Sequence, residues 1–159
     1  MICGKRVLDY LNMVNEQNHQ ISVKLSAKMD KTAQAVERLQ EENFRLKGQV
    51  GQMVDDMCQK EAERYAGSGS VLIFMDGMDA DSVRRLADAV TQTCQGCCAV
   101  FSRNADGSFK YAMGEKDGDL RQFTKEMNTK LNGRGGGKPF FVQGSVQATE
   151  EEIRRFFEQ

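Results

Sequence analysis

A glycine-rich segment between Asn132 and Gly144 constrains the possible folds of this 159-residue chain more than any other stretch. It reads Asn-Gly-Arg-Gly-Gly-Gly-Lys-Pro-Phe-Phe-Val-Gln-Gly and contains Pro139, the only proline of the chain. Glycine serves where the backbone needs a positive φ or must approach a ligand closely, and backbone N–H groups beside fixed cations form anion sites. Because Arg134 and Lys138 lie among the glycines, the segment predicts a ligand-facing loop for an anion. The alternative is a plain turn.

Composition narrows the classes of function that the chain can have. The formal net charge is −1 with 28% charged residues, so a nucleic-acid site must come from local segregation of charge. No apolar run approaches the length of a membrane span, and the first residues lack the apolar core of a signal peptide. Five cysteines form no regular disulfide framework, which indicates reduced thiols. We therefore expect a cytoplasmic protein that does not enter a membrane.

The spacing of Cys94 and Cys97 is C-x-x-C, which could form half of a zinc site. A structural zinc ion needs four ligands. The other candidates show no second paired spacing: Cys3, Cys58 and the only histidine, His19. We therefore expect no metal site and a solvent-facing histidine. The pattern favours a helix that ends near Gly96, after which Cys97 and Cys98 begin a buried strand.

The first 66 residues carry the apolar spacing of two helices. Apolar residues from Val7 to Leu25 predict the first helix, and a break follows at 26–30, where Asp30 can cap the next helix. From Val36 the apolar positions advance by alternating steps of three and four, the heptad pattern of a coiled coil. This stripe, called the heptad seam below, consists of Val36, Leu39, Asn43, Leu46, Val50, Met53 and Met57.

Asn43 occupies an a position of the heptad seam, where asparagine fixes register and favours a two-stranded state. Two interpretations of the seam remain open. It can pair two copies of the chain through residues 31–60, which would make the protein a homodimer, or it can pack on its own chain against helix 7–25.

Composition changes after a hinge at Gly67–Gly69, and residues 70–159 predict a small α/β domain with a mixed sheet. Val71–Met75 is a continuous apolar run, typical of a strand covered on both faces. Local signals then predict the order strand, helix, strand, strand, helix, strand, helix. They are a cap at Asp79 or Asp81, a hairpin turn at Asn104–Gly107, a helix start at Asp117–Asp119, a strand at Phe140–Gln147 and a near capping box from Thr149.

Positive charge concentrates around the glycine-rich segment. Between Leu120 and Gln143 one acidic residue, Glu126, stands against five basic ones, a local charge of +4. The basic residues are Arg121, Lys125, Lys130, Arg134 and Lys138. A charge run is usually a solvated helix face. Its continuity with the glycines predicts instead a surface for a phosphate backbone, in which we expect Gly136 to hold a positive φ.

The segment Gly133–Pro139, followed by Val142–Gly144, resembles the signature of the DHH-associated domain. That domain forms the C-terminal part of alanyl-tRNA synthetases and of long stand-alone alanyl-tRNA editing hydrolases. The predicted order of elements agrees with it over residues 70–159, and segment 7–66 looks like the dimerising helical subdomain of the same proteins. The sequence of Phe140–Gln143 is closer to the editing-protein branch.

The resemblance implies a C-terminal fragment of a larger protein, with residues 1–6 as the tail of an upstream editing domain. Cys3–Leu8 carries that part of the likeness. The family's editing domain holds zinc through H-x-x-x-H and C-x-x-x-H motifs, which this sequence lacks, and related phosphodiesterases carry a histidine where this chain has Lys138. We therefore expect no catalytic residue and no cofactor in this chain. The expected parent is a zinc-dependent alanyl-tRNA deacylase or an alanine-tRNA ligase.

The resemblance further implies a tRNA-binding and dimerisation module whose partners are tRNA, in particular alanine tRNA, and a second copy of the chain. The nucleic-acid site would comprise the glycines and the basic residues near them: Gly133, Arg134, Gly135, Gly136, Gly137, Lys138, Lys130, Lys125 and Arg121. Two other functions remain open. They are the substrate-binding half of a DHH-type phosphodiesterase and a coiled-coil module that binds protein.

Overall fold

The computed structural model describes residues 2–158. The chain forms two compact units, divided between residues 51 and 52. The first is helical and the second contains the sheet. This boundary lies inside a helix rather than at the predicted hinge at Gly67–Gly69, because the last turns of that helix pack with the sheet-containing unit.

Two helices and a short 3-10 turn form the helical part. Helix α1 spans Ile2–Lys24, the turn covers Met29–Lys31, and α2 spans Thr32–Arg64 and continues into the second unit. Of the tail predicted at residues 1–6, Met1 lies outside the described residues, and the remainder is part of α1.

Asn18 fixes the connection between α1 and α2. Its Nδ2 donates to Met29 O at 3.1 Å, and the Thr32 hydroxyl donates to its Oδ1 at 2.8 Å. The predicted cap at Asp30 is wrong, because Asp30 lies inside the 3-10 turn and α2 begins two residues later. A side chain distant in sequence, rather than a local cap, therefore stabilises the turn.

The heptad seam is exposed along the helical unit. Leu39 is 54% and Val50 60% exposed, and Val36 and Leu46 are exposed as well. Packing of these side chains on helix 7–25, one of the two interpretations of the seam, is therefore not observed. Met57 differs from the rest of the seam, because it packs against the core of the second unit.

The second unit is an α/β domain with a mixed sheet, as predicted. Its elements are β1 (Val71–Asp76), α3 (Ala80–Thr91), β2 (Cys98–Arg103), β3 (Phe109–Gly114), α4 (Leu120–Lys130), β4 (Gly133–Lys138), β5 (Phe141–Val146) and α5 (Glu150–Phe157). The strand order is β1-β2-β3-β5-β4, with β1 and β2 parallel and the other neighbours antiparallel. The sheet has five strands rather than the predicted four, because the glycine-rich segment forms β4.

Two apolar clusters, one on each face of the sheet, stabilise this unit. The first lies under α3 and the end of α2 and is built on Ile73, Leu86 and Val100. The second lies under α4 and α5 and includes Phe101 and Met127. Neighbouring residues of β2 supply opposite clusters because successive strand side chains point to opposite faces. Each fully buried side chain of this size contributes about 1.5–3 kcal/mol.

Most local signals in this unit are confirmed. Asp79 caps α3 by accepting the Ser82 N–H at 2.7 Å, and Thr149 and Glu152 form a complete capping box on α5. The hairpin turn at Asn104–Gly107 joins β2 to β3. Helix α3 ends at Thr91, five residues before the predicted end at Gly96.

Candidate functional site

Strand β4 is an edge strand in which four of the six residues are glycine. It pairs with β5 in an unbroken antiparallel register of six residue pairs, and the turn Pro139–Phe140 joins the two strands. The predicted loop is therefore wrong. Glycine has a low intrinsic preference for strands, so the local sequence indicates a loop, but pairing with β5 overrides this preference. Phe140, predicted as the start of the last strand, lies in the turn.

Gly135 and Gly144 form a cross-strand pair beside the hydroxyl of Tyr111. A Cβ on Gly135 would lie 2.6 Å from Tyr111 Oη, and one on Gly144 would lie 2.7 Å from the same atom. Gly135 also has a φ of 155°, which residues with side chains rarely adopt. The expectation for Gly136 is wrong, because a Cβ there meets nothing within 4 Å and the positive φ falls on Gly135.

A chain of hydrogen bonds connects β3, α4 and β4 below this glycine pair. The Tyr111 hydroxyl donates to Asn128 Oδ1 at 3.0 Å, and Asn128 Nδ2 donates to Gly135 O at 3.3 Å. Burial raises the pKa of Tyr111, so the phenol remains a neutral donor. The sequence reasoning missed Tyr111 and Asn128. The available signal was a polar residue beside Met127 on the inward face of the predicted helix.

A polar groove of about 620 Å³ runs between α4 and β4. Six of the predicted site residues line it: Arg121, Lys125, Gly133, Gly135, Gly136 and Gly137. Thr124 lines it as well, and its buried hydroxyl has no hydrogen-bond partner among residues 2–158. A buried polar atom without a partner is costly, and because this oxygen is shielded from solvent, a ligand in the groove would not reach it in this conformation. Sequence reasoning did not identify Thr124.

Arg121 reaches the groove with its charge already engaged by Asp119. Its Nη2 lies 2.6 Å from Asp119 Oδ2, and its Nε donates to Asp119 Oδ1 at 2.9 Å. These hydrogen bonds lower the pKa of Asp119 to about 2. Asp119 also caps α4 through the Arg121 N–H. Lys125 is an exposed cation on the next turn of the helix, whereas Lys130 lies away from the groove, its Nζ 5.3 Å from the centre of the Phe156 ring.

Arg134 and Lys138 project from the opposite face of β4. Because successive strand side chains alternate between faces, odd-numbered residues of β4 face α4 and even-numbered residues face away. The register agrees, since Lys138 lies opposite Phe141, which packs against the cluster under α3. The predicted single cationic surface is therefore divided by the edge strand, with Lys125 on one face and Arg134 and Lys138 on the other.

The described residues give no support to a metal centre. No group of three or more suitable ligands occurs within residues 2–158. Burial, with smaller contributions from Glu115 and Cys94, raises the pKa of Cys97 to about 12, which disfavours the thiolate that zinc binds. His19 is exposed, as predicted. Among the helices within residues 2–158, none has the length and apolar character to cross a membrane.

Comparison with known proteins relates the whole chain to alanine–tRNA ligases. The ligase of Psychrobacter sp. is 20% identical over 162 residues, which cover 94% of this chain and 18% of the relative. The ligase of Thiobacillus denitrificans is 26% identical over 153 residues, which cover 87% of this chain and 17% of the relative. The chain thus spans less than a fifth of the length of these two relatives.

A solved structure and a family model agree with this relation. The crystal structure of the C-Ala domain from Aquifex aeolicus alanyl-tRNA synthetase matches with a TM-score of 0.50 and 20% identity, covering 58% of this chain and 92% of that one. At this identity the likeness concerns the fold. The family model of the DHHA1 domain matches residues 68–159, a range that contains the whole glycine signature. This match confirms the resemblance that was drawn from the signature. The chain therefore belongs to the DHHA1 domain family.

Proposed function

We propose that this chain is a tRNA-binding module and that β4, with the groove beside α4, is the surface that contacts the RNA backbone. The observation that carries this proposal is an exposed edge strand in which four of the six residues are glycine. Its outward backbone N–H groups can approach a phosphate without obstruction. Arg134 and Lys138 add positive charge on one face of the strand, and Lys125 adds it on the other.

Contacts of this kind position an RNA rather than read its sequence. Hydrogen bonds to phosphate and sugar oxygens fix register and orientation, and proteins recognise folded RNA largely through its shape and its 2′-hydroxyls. The Tyr111–Asn128–Gly135 hydrogen bonds hold the groove open before a ligand arrives.

The relatives that cover most of the chain are alanine–tRNA ligases, and this supports a place in a protein that acts on alanine tRNA. We propose that the chain holds the tRNA while other domains of a ligase or an editing hydrolase carry out the chemistry. Any zinc of such a parent would then be bound outside this chain. A role as half of a phosphodiesterase has less support, because the ligases cover nearly the whole chain.

Charge removal combined with salt titration tests the RNA-binding proposal. Arg134→Ala and Lys125→Ala should each weaken binding to a tRNA transcript without lowering the unfolding midpoint, because both residues are exposed. If each cation contacts one phosphate, each variant should reduce the slope of log affinity against log salt by roughly 0.7–0.9. Lys47→Ala, an exposed cation on the helical unit, is the matched control and should change neither quantity. Unchanged affinity and salt slope in both Arg134→Ala and Lys125→Ala would contradict the proposal.

We also propose that the heptad seam pairs two copies of the chain. Its exposed apolar side chains support this, since Leu39 and Val50 are more than half exposed. The parent chain should sediment as a dimer at micromolar concentration, and Leu39→Lys with Leu46→Lys should give a monomer. Asn43→Leu should raise stability but allow other oligomers, because a buried asparagine costs stability and fixes the oligomeric state. A monomeric parent would contradict this proposal without affecting the RNA site.

A further inference from the structure

Phe140 is an exposed aromatic side chain at the tip of the β4–β5 hairpin. The residue is 50% exposed, although the next residue, Phe141, packs against the core. The proposed contacts with the RNA backbone do not use Phe140. The exposed part of this side chain adds little to folding through burial and is available to contact a ligand.

The hairpin tip that carries Phe140 is held in place by main-chain hydrogen bonds. The Leu120 N–H donates to Pro139 O at 2.7 Å, and the Glu115 N–H donates to Phe140 O at 3.0 Å. The pairing of β4 with β5 extends up to the turn, where Lys138 pairs with Phe141. The ring therefore sits on a fixed backbone, which reduces the entropy that a ligand must offset on binding.

Positive charge lies next to this ring. Lys138 Nζ is 5.7 Å from the centre of the Phe140 ring. Both residues line a groove of about 340 Å³ on the face of the sheet that bears α3. Arg84 and Asp88 line the same groove. Within residues 2–158, the ion pair of Arg84 is a long one to Asp81, with the Arg84 Nε 3.8 Å from the carboxylate. An exposed aromatic ring with one cation beside it and a second cation in the same groove resembles the combination with which proteins bind single-stranded nucleic acid.

We infer that Phe140 is a stacking platform for one unpaired RNA base, with Lys138 and Arg84 placed to contact the adjoining phosphates. The inference deepens the proposed RNA-binding function and rests on it. Base pairs inside a helix present only their edges, whereas a base in a loop, bulge or end can turn out and stack on an aromatic side chain. The proposed ligand is therefore an RNA with an accessible base, held at the end of the β4 edge.

Substitution of the ring separates stacking from charge. Phe140→Leu keeps an apolar side chain without a ring, and Phe140→Trp keeps a ring. Phe44→Leu is the matched control, since Phe44 is an 82% exposed phenylalanine in the helical unit. Two probes are used: a single-stranded RNA with a central 2-aminopurine and a blunt-ended RNA duplex of the same length. The fluorescence of 2-aminopurine reports stacking directly, so a purely structural role for Phe140 would not alter it.

Phe140→Leu should weaken binding of the single-stranded probe by roughly 5-fold to 150-fold, the range for loss of one stacked base. It should also abolish the quenching of 2-aminopurine fluorescence that stacking on the ring of the parent chain produces. Phe140→Trp and Phe44→Leu should behave like the parent chain, and the duplex should bind all variants equally. Parent-like binding and quenching by Phe140→Leu would overturn the stacking inference while leaving the RNA-binding function intact. Failure of the parent chain to bind either probe or a tRNA transcript would overturn both.

Discussion

Strands β1 and β4 form the two edges of one sheet, yet β1 reads Val-Leu-Ile-Phe-Met-Asp and β4 reads Gly-Arg-Gly-Gly-Gly-Lys. In β1, Val71 and Ile73 are buried in the cluster under α3, while Leu72 and Phe74 pack against the opposite cluster. In β4, the strand contributes no buried side chain. Both edge strands complete the sheet, but of the two only β1 also contributes buried side chains to the core.

The difference shows what an edge strand can be selected for. An edge that supplies apolar side chains stabilises the fold, and its backbone is covered on both faces. An edge of glycine contributes almost nothing through burial and leaves its backbone open to a ligand. Bare edges are a liability for aggregation, and charged side chains on the edge are one of the devices that limit it. Arg134 and Lys138 are charged side chains on this edge, so they can limit aggregation in addition to making the proposed contacts with phosphate.

The largest expected effect is on stability, and it lies in β1. Ile73→Ala removes a side chain that is 5% exposed, and this should lower the free energy of unfolding by about 2–5 kcal/mol. Gly136→Ala in β4 is the matched change at the other edge. It should lie within about 0.5 kcal/mol of the parent, as for other surface substitutions without strain. Urea denaturation followed by circular dichroism measures both. Equal losses of unfolding free energy in Ile73→Ala and Gly136→Ala would contradict the difference drawn between the two edge strands.

Gly135→Ala should have the next largest effect and should sharpen the comparison within β4. The added Cβ would meet the Gln143 carbonyl oxygen, the Gly144 Cα and the Tyr111 hydroxyl, and the φ of 155° suits glycine. Strain of this kind costs about 1–3 kcal/mol. We therefore expect a lower unfolding midpoint and weaker tRNA binding, with the salt slope unchanged because no charge is lost. If Gly135→Ala and Gly136→Ala are indistinguishable in both assays, neither the close packing at Gly135 nor its φ requires glycine.

The smallest effect concerns pH and Asp119. Hydrogen bonds from Arg121 lower the pKa of Asp119 in the folded state to about 2, against about 3.9 in an unfolded chain. The stability that the carboxylate contributes is therefore present above about pH 4 and lost as the pH falls toward 2. Asp119→Asn should make the acid limb of the stability curve shallower between those values, and unfolding midpoints across that range measure it. A curve identical to the parent's would show that the ion pair does not form in solution.

Local signals in the sequence predicted much of the α/β unit, because their causes are local. The cap at Asp79, the capping box from Thr149 and the turn at Asn104–Gly107 each depend on residues a few positions apart. Hydrophobic runs predicted the mixed sheet for a similar reason. The family signature added the relation to alanyl-tRNA synthetases, which periodicity alone does not contain.

The parts that sequence reasoning missed depend on contacts between distant residues. Strand β4 exists because β5 pairs with it, and Gly135 needs to be glycine because the backbone of β5 and the Tyr111 hydroxyl both lie against it. A prediction of a strand here would also have placed Arg134 and Lys138 on a different face from Lys125. A loop can present Arg134 and Lys138 beside Lys125, whereas a strand alternates its side chains between two faces.

The most direct measurement of the central claim is the response of backbone amides at the two edges to RNA. In a ¹⁵N-labelled chain titrated with a tRNA transcript, the amide resonances of Gly135, Gly136 and Gly137 should shift or broaden first. Those of Val71–Asp76 should remain in place, because β1 offers its core-facing side chains and no cationic groove. Perturbation of β1 without perturbation of the β4 glycines would contradict the account and place the RNA on another surface.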